Sequence, residues 1–573
     1  MSYLIHYLVK HKYRFILILL ILPISIGLQL LGPQVLGNFI DQAVKGIPLN
    51  QLLNIAFIFL GITLLNQVSI TVITYLSEDL AWRTTNKLRL DLFSHVMRLD
   101  MGFHNSNTPS VMMEQIDSDV TVLVTFFSQM IIQVIGNSIL LIGITTWFFF
   151  QSVQMGLGLL AFVIVILFVL RNLSNVAAAE WTEFRQSRDK LYSFIGEQLM
   201  GIEDIRSRGA ESYVTRQLYV LMRDLLVTKR VANFRGTFIL SAIAMAFGLG
   251  TMFVFLFGAN LYVLGTITIG TVYLAYRYME MLRTPLEQIS RQLEYRQQAL
   301  ASAKRVKSLL SQKPKIQDGT GGYFSSGTLS LEFKHVTFSY NQGQNNLHDI
   351  SFYLKAGRTM GLVGRTGSGK TTLTRLILRL YEVDTGAIEL GSTDIRTVPV
   401  YELRRKIGMI TQDVEIFHAT VRDNITLFDR SIADEHIVKT LVDLGLNNWF
   451  YSLPDGLDTT IAKGAIEMSA GEAQLLSLAR VLFQKPSLII LDEASARLDP
   501  ITEKIAQRTI ARLLSQCTAI IIAHRLETLQ NVDDIMVLED GQIHEFGERH
   551  TLSRDHNSKY YQLLKTHEKE LFV

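Results

Sequence analysis

The sequence predicts an α-helical transmembrane domain of six spans followed by an α/β domain built around a phosphate loop. Three observations carry that prediction. Across 573 residues, 48% are hydrophobic and only 19% are charged, against roughly 25% charged in average soluble chains, so part of the chain is too apolar for water. Long uncharged runs crowd the first half and stop after about Tyr276. Short β-rich runs alternating with helical stretches take over from Thr328, the pattern of a soluble α/β domain. A net charge of +3, from 55 basic and 52 acidic residues, is no nucleic-acid signature. The one cysteine, Cys517, rules out an internal disulfide framework.

Crossing about 30 Å of hydrocarbon takes around 20 apolar residues in helix. Six segments meet or approach this: Phe15 to Ile40, Leu52 to Leu76, Val120 to Trp147, Met155 to Leu170, Thr237 to Leu264 and Ile269 to Thr284. The fourth and sixth are short and run on into polar helical sequence at Ala177 to Gly196 and Leu286 to Leu310, so both are expected to project beyond the bilayer. The first run follows Lys10, Lys12 and Arg14 but is too long for a secretory signal, and no small-residue cleavage site follows it. Basic residues before span one, between spans two and three and between four and five place both termini in the cytoplasm. The opposite connections carry little beyond Lys45.

The two cytoplasmic connections, 77–119 and 171–236, read as amphipathic helix rather than loop. Lys313-Pro-Lys-Ile-Gln-Asp-Gly-Thr-Gly-Gly has linker composition. The expected division is a transmembrane domain over 1–312, a linker over 313–327 and a nucleotide-binding domain over 328–573.

A short strand, Arg358 to Val363, precedes Gly364-Arg365-Thr366-Gly367-Ser368-Gly369-Lys370-Thr371-Thr372, and a helical run from Leu373 to Leu380 follows. That is a phosphate loop in the strand, loop, helix setting it requires. Glycine lets the backbone curl tightly enough to aim successive N–H groups at phosphate oxygens, and the helix N-terminus adds a favourable dipole. Lys370 is placed to neutralise the β and γ phosphates, and Thr371 to bind Mg²⁺ through its hydroxyl. The apolar strand Ser487 to Leu491 ends in Asp492 and Glu493, a carboxylate pair suited to the Mg²⁺ shell and to a hydrolytic water respectively. A third apolar strand, Ala519 to Ala523, ends in His524-Arg525.

Tyr340, the phosphate loop, Gln412, Met468-Ser-Ala-Gly-Glu-Ala-Gln474, Leu491-Asp-Glu-Ala-Ser, Leu498-Asp499 and Ala523-His524-Arg525 occur in the order and spacing of ATP-binding cassette (ABC) transporters. With six spans ahead of the cassette, the chain resembles an exporter-type, type IV, half-transporter over nearly its whole length. The resemblance implies an ATPase coupled to transport. Tyr340 would stack on adenine, and Gln412 would contact Mg²⁺ or water. Glu493 would activate the water and His524 would sense the γ-phosphate. Residues Gly201 to Glu211 and a region near His104 to Glu114 would be the coupling helices.

The chain departs from that pattern at the signature loop. The usual Leu-Ser-Gly-Gly-Gln is here Met468-Ser469-Ala470-Gly471-Glu472. In the family this loop closes on nucleotide held by the opposite cassette. Ser469 and Gly471 would approach that phosphate, and Glu472 would set a carboxylate against it, a like-charge contact of about 4 kcal/mol at about 4 Å and an effective dielectric constant of about 20. Ala462-Lys-Gly-Ala465 and Ala496-Arg-Leu-Asp499 also deviate, whereas Lys370, Asp492, Glu493 and His524 keep the family pattern. The split between an altered signature loop and intact residues for this chain's own nucleotide resembles the asymmetric heterodimeric exporters, which favours a heterodimer with a second half-transporter over a homodimer with two slow sites, in the lipid bilayer of an expected prokaryotic inner membrane. The cargo the resemblance implies is a small amphipathic molecule, drug or lipid. The alternatives on the same scaffold are a peptide or siderophore transporter, or an ATP-gated channel subunit. Arg277, Glu280 and Arg283 stand at helical spacing on span six, where ionisable groups face a cavity or pair with one another.

Overall fold

The computed structural model describes residues 12–325, 327–340, 346–411, 414–461, 468–492, 500–523 and 529–571. Internal contacts divide the chain into two units, one reaching to Met97 and running again from Pro109 to Gln312, the other formed by Arg98–Thr108 with the chain from Lys313 onward.

The first unit is helical. Helices α1 (Lys12–Val44) and α2 (Leu49–Met97) form a hairpin, and a short pair, α3 (Met101–Ser106) and α4 (Pro109–Met113), follows. The third expected span is helix with two π turns: Glu114–Ser118, α5 (Asp119–Gln129), Met130–Gly136 and α6 (Asn137–Gln151). Next come α7 (Val153–Met200), α8 (Ile202–Ser207), α9 (Glu211–Val263), α10 (Ile269–Met281) and α11 (Arg283–Ser311). Among the described residues, four stretches are long and apolar enough to span a bilayer: Lys12–Val44, Leu49–Met97, Pro109–Gln151 and Glu211–Val263. The fourth expected span is the shorter apolar stretch Val153–Val169 at the start of α7. The sixth is the 13-residue α10, which passes through Leu282 into α11. Both therefore run on into polar helix, as their sequences require.

Polar clips hold α10 to α1. Asp41 accepts from the Gly270 amide at 2.7 Å and from the Thr268 hydroxyl at 2.6 Å, capping the start of α10. The helices touch backbone to backbone there, since a Cβ on Gly270 would lie 2.2 Å from the Gly37 carbonyl oxygen. Deeper in, the buried Tyr278 hydroxyl donates to the Leu30 carbonyl at 2.9 Å and accepts from Gln34 at 3.0 Å. On the exposed side of α10, Arg277 meets Glu280 at 3.5 Å, whereas Arg283 turns to Glu287 at 3.4 Å. The spacing-of-three trio thus resolves into two separate pairs. Asp119, 2% exposed, is satisfied by Ser302 and by the Arg305 guanidinium, which a buried charge demands.

The second unit is α/β. A parallel core sheet has the order β12-β11-β3-β10-β9-β6, with only β12 (Gln542–Glu548) antiparallel. Its other strands are β3 (Thr359–Val363), β6 (Ile407–Ile410), β9 (Leu488–Asp492), β10 (Thr518–Ile522) and β11 (Asp534–Glu539). An antiparallel sheet of order β2-β1-β4-β5 is formed by β1 (Leu331–Phe338), β2 (Leu347–Leu354), β4 (Thr385–Leu390) and β5 (Thr393–Asp394), and the short strands β7 (Ala419–Thr420) and β8 (Thr460–Ile461) pair with each other. All five residues of β3 are buried, as a central parallel strand covered on both faces must be. Helices α12 (Lys370–Ile377), α13 (Val400–Lys406), α14 (Val421–Thr426), α15 (Asp434–Asp443), α16 (Asn447–Tyr451), α17 (Ala470–Gln484) and α18 (Pro500–Leu514) complete the part of the unit that carries the site.

Residues 313–321, linker-like by composition, lie against this unit. The amides of Lys315 and Ile316 donate to Asp100, the buried Arg379 donates to the Gln317 carbonyl at 2.9 Å, and Asp318 accepts from the Val400 amide at 2.9 Å. A Cβ on Gly319 would fall 2.1 Å from the Thr397 carbonyl oxygen. Only glycine allows the chain to lie so close.

Candidate nucleotide site and signature loop

The phosphate loop leaves the C-terminal end of β3, where an α/β sheet opens its binding crevice. Gly364 begins it under a strict limit, because a Cβ there would sit 2.2 Å from the Leu538 carbonyl oxygen. Gly367 and Gly369 have φ of +87° and +106°, a region costly for any side chain. The loop delivers the chain into α12 at Lys370, which is 6% exposed. The Lys370 ammonium donates to the carbonyls of Gly364 and Arg365 at 2.6 and 2.9 Å, bending back across the mouth of its own loop. Burial holds its pKa below the ordinary lysine value, and the Asp492 carboxylate opposes that shift.

Two observations fit this cradle to polyphosphate. The Ser368 hydroxyl is buried and has no hydrogen-bond partner among the described residues, so a phosphate oxygen would supply the missing acceptor. A Cβ placed on Gly367 would meet nothing within 4 Å, so the loop is open to a ligand there. Thr371 is exposed on the first turn of α12, and Asp492 ends β9. A hydroxyl with one carboxylate beside a polyphosphate is the donor set Mg²⁺ takes, with phosphate and water completing its octahedron. Gln412, Glu493 and His524 lie outside the described residues, as do 462–465 and 496–499.

Tyr340 stands beside α12. Its hydroxyl is 3.3 Å from the Thr372 hydroxyl and accepts from Arg375 at 3.3 Å. Its ring is met edge-on by Phe338 and Tyr381, each with centroids 5.0 Å away. The Tyr381 hydroxyl in turn accepts from Asn105 of α3 at 2.6 Å. A chain of contacts therefore leads from α3, within the first expected coupling region, to the aromatic beside the phosphate loop. The sequence reading did not single out Asn105, Tyr381 or Arg375, and residues so far apart along the chain give no local pattern to find them by. The second expected coupling region contains α8, bounded by Gly201 and by Gly209 at φ +63°.

The signature loop is turned in on itself. Ser469 caps α17, its hydroxyl accepting from the Glu472 amide at 3.2 Å, while the Glu472 carboxylate accepts from the Ser469 amide at 2.8 Å and from its hydroxyl at 3.0 Å. This is a capping box. Its Ser-x-x-Glu spacing is legible in the sequence, although the expectation there was a carboxylate confronting phosphate. Within this chain the carboxylate is held by the Ser469 hydroxyl and amide. Among the described residues, no hydrogen bond or ion pair joins Ser469, Gly471 or Glu472 to residues 364–372.

A helical membrane unit joined to a phosphate-loop α/β unit defines a membrane-embedded nucleotide-driven translocase. The chain matches the ABC transporter transmembrane region over residues 15–286 and the ABC transporter domain over 347–496. It is 30% identical over 547 residues to the uncharacterized ABC transporter ATP-binding protein YknV of Bacillus subtilis, covering 93% of this chain and 89% of that one. It belongs to the ABC transporter family, and its cassette binds ATP. It is also 28% identical to the fatty acid ABC transporter ATP-binding/permease protein of Mycobacterium bovis, over 84% of this chain and 76% of that protein. Its fold is similar to that of a bacterial Atm1-family ABC exporter solved with ATP bound, with a TM-score of 0.80, 22% identity and coverage of 97% and 98% of the two chains.

Proposed function

We propose that this chain is one half of a heterodimeric exporter that moves a small amphipathic or lipid-like molecule out across a prokaryotic inner membrane, with both termini in the cytoplasm. In this reading residues 1–312 carry the cargo path, and 328–573 bind ATP with Mg²⁺ on Thr371, Asp492 and Gln412. Tyr340 holds the adenine, Lys370 and the loop 364–372 hold the phosphates, Glu493 activates water and His524 senses the γ-phosphate. The observation that carries the heterodimer is the capping box. Charge-assisted hydrogen bonds to a carboxylate are about twice as strong as neutral ones, so a phosphate arriving from the opposite cassette must displace Glu472 from Ser469. A mate carrying the neutral Gln of the family pattern at this position serves this chain's own nucleotide, while this chain serves its mate poorly.

An apolar cavity of about 400 Å³ in the membrane unit supports the cargo class. Phe148, Phe162, Phe253 and Phe257 line it together with Met155 and Met279. It suits an alkyl or aromatic body and offers a charged head nothing to pair with. The fatty acid transporter name of the M. bovis relative agrees with that chemistry.

The test is co-expression with a second half-transporter and measurement of ATPase activity in lipid. Glu493→Gln is expected to abolish turnover, and removal of the matching acid in the mate to reduce it only a few-fold. Full activity from this chain purified alone would refute the heterodimer.

A further inference from the structure

The face of the cassette unit opposite the phosphate loop holds a second concavity, of about 740 Å³. It lies at the N-terminal ends of β6 and β9, so the preceding helices converge there by their C-termini: α13 ends at Lys406, α15 at Asp443, α17 at Gln484 and α18 at Leu514. Helix C-termini carry roughly half a negative charge each. The cavity nevertheless gathers Lys406, Lys439, Lys485, Arg508 and Arg512 against one acid, Asp443. Five cations against that acid and four helix ends leave roughly two positive charges in excess. Among the described residues, none of the five cations makes a side-chain ion pair or hydrogen bond. Dipole compensation therefore accounts for part of the cluster and leaves the remainder unanswered.

The rest of the wall is mixed, with His436, Thr440, Ser487, Thr509 and Gln516 beside apolar side chains. Phe483 meets His436 edge-on with centroids 5.2 Å apart, and Leu444, Leu482 and Leu513 line the same space. A concavity of this volume, with cations gathered beside the Phe483 ring, three leucines and several hydroxyl and amide groups, has the chemistry of a small-molecule site for a phosphorylated compound carrying a flat ring.

We propose that this cavity is an anion site separate from the ATP site, binding a nucleotide-like phosphate ester. The phosphate meets Arg508, Arg512 and the lysines, and the ring system packs on Phe483. Its occupant bridges α15 to the C-terminal end of α17, the helix whose other end carries Ser469, so binding there can bias the signature loop.

The experiment uses the full-length chain in detergent with Lys370→Ala, which weakens nucleotide at the phosphate loop. Binding of mant-AMP is followed by fluorescence anisotropy. Saturable binding is expected to survive Lys370→Ala and to weaken at least tenfold when Arg508→Ala and Arg512→Ala are added. Inorganic pyrophosphate is expected to displace the probe. An unchanged thermal unfolding midpoint in the added variants would show that the loss is not misfolding; should they unfold, Arg508→Gln with Lys439→Gln replaces them, and the same tenfold loss is expected. Loss of all binding with Lys370→Ala alone, or binding indifferent to both sets of charge removals, overturns the proposal. A decaglutamate peptide displacing the probe more strongly than pyrophosphate also overturns it, in favour of an acidic protein segment.

Discussion

Single side chains decide what this cassette can offer. If Glu472 holds Ser469 by its charge, Glu472→Gln keeps the capping geometry and weakens the clamp. ATPase activity of the assembled transporter is expected to rise about three- to tenfold, and Ser469→Ala on the same background to reverse the gain. Lys370 adds a pH signature. Its depressed pKa means that the free site loses the lysine proton at lower pH than a solvated lysine would, whereas bound polyphosphate retains that proton. Nucleotide binding on the alkaline side must therefore take up a proton, and affinity falls as pH rises. Titrating ADP affinity from pH 7 to pH 10 tests this, and Lys370→Arg is expected to flatten the slope because arginine stays charged. Cys517 is buried, donates to the Leu513 carbonyl at 3.0 Å, and has its thiol pushed up to about 11 by burial. It is therefore protonated and shielded at neutral pH. Maleimide should label the folded chain at least a hundredfold more slowly than the chain in denaturant, a clean single-site readout of cassette unfolding.

At the scale of elements, the sequence was most readable where one force dominates. Apolar runs marked α1, α2, α6 and α9, and the glycine spacing marked the phosphate loop, because hydrocarbon and a curled backbone each tolerate few residue types. The π turns at Glu114–Ser118 and Met130–Gly136 were not legible, since the first holds one apolar residue and the second is apolar at five of seven positions, so neither carries a stripe whose shift in phase would show. Nor was the grouping of Arg98–Thr108 with the cassette, which depends on Asp100 meeting residues 315 and 316 and on Asn105 meeting Tyr381. That contact makes a prediction: Tyr381→Phe removes the acceptor for Asn105 while keeping the ring against Tyr340. ATP affinity is expected to change less than twofold, while transport per ATP hydrolysed falls several-fold, measured by paired flux and phosphate-release assays. The clip between α1 and α10 makes another. Asp41→Ala strips two hydrogen bonds to a charged acceptor, each contributing about 1.5 to 3 kcal/mol, and should lower the detergent unfolding midpoint by several degrees.

For the whole molecule, composition already separated two solvents, and the two contact units follow that division apart from the one short helix that leaves its own half. The long helices have a mechanical consequence. With 53 residues at 1.5 Å each, α9 is about 80 Å long, against about 30 Å of hydrocarbon. Most of the rod stands outside the bilayer. Pivoting it by about ten degrees within the lipid would swing the distant tip sideways by roughly 10 Å, and a nudge at that tip would return as a much smaller, more forceful shift among the apolar side chains. Gearing of that ratio lets small rearrangements among the apolar side chains reach the far end of the helix as motion of many ångströms.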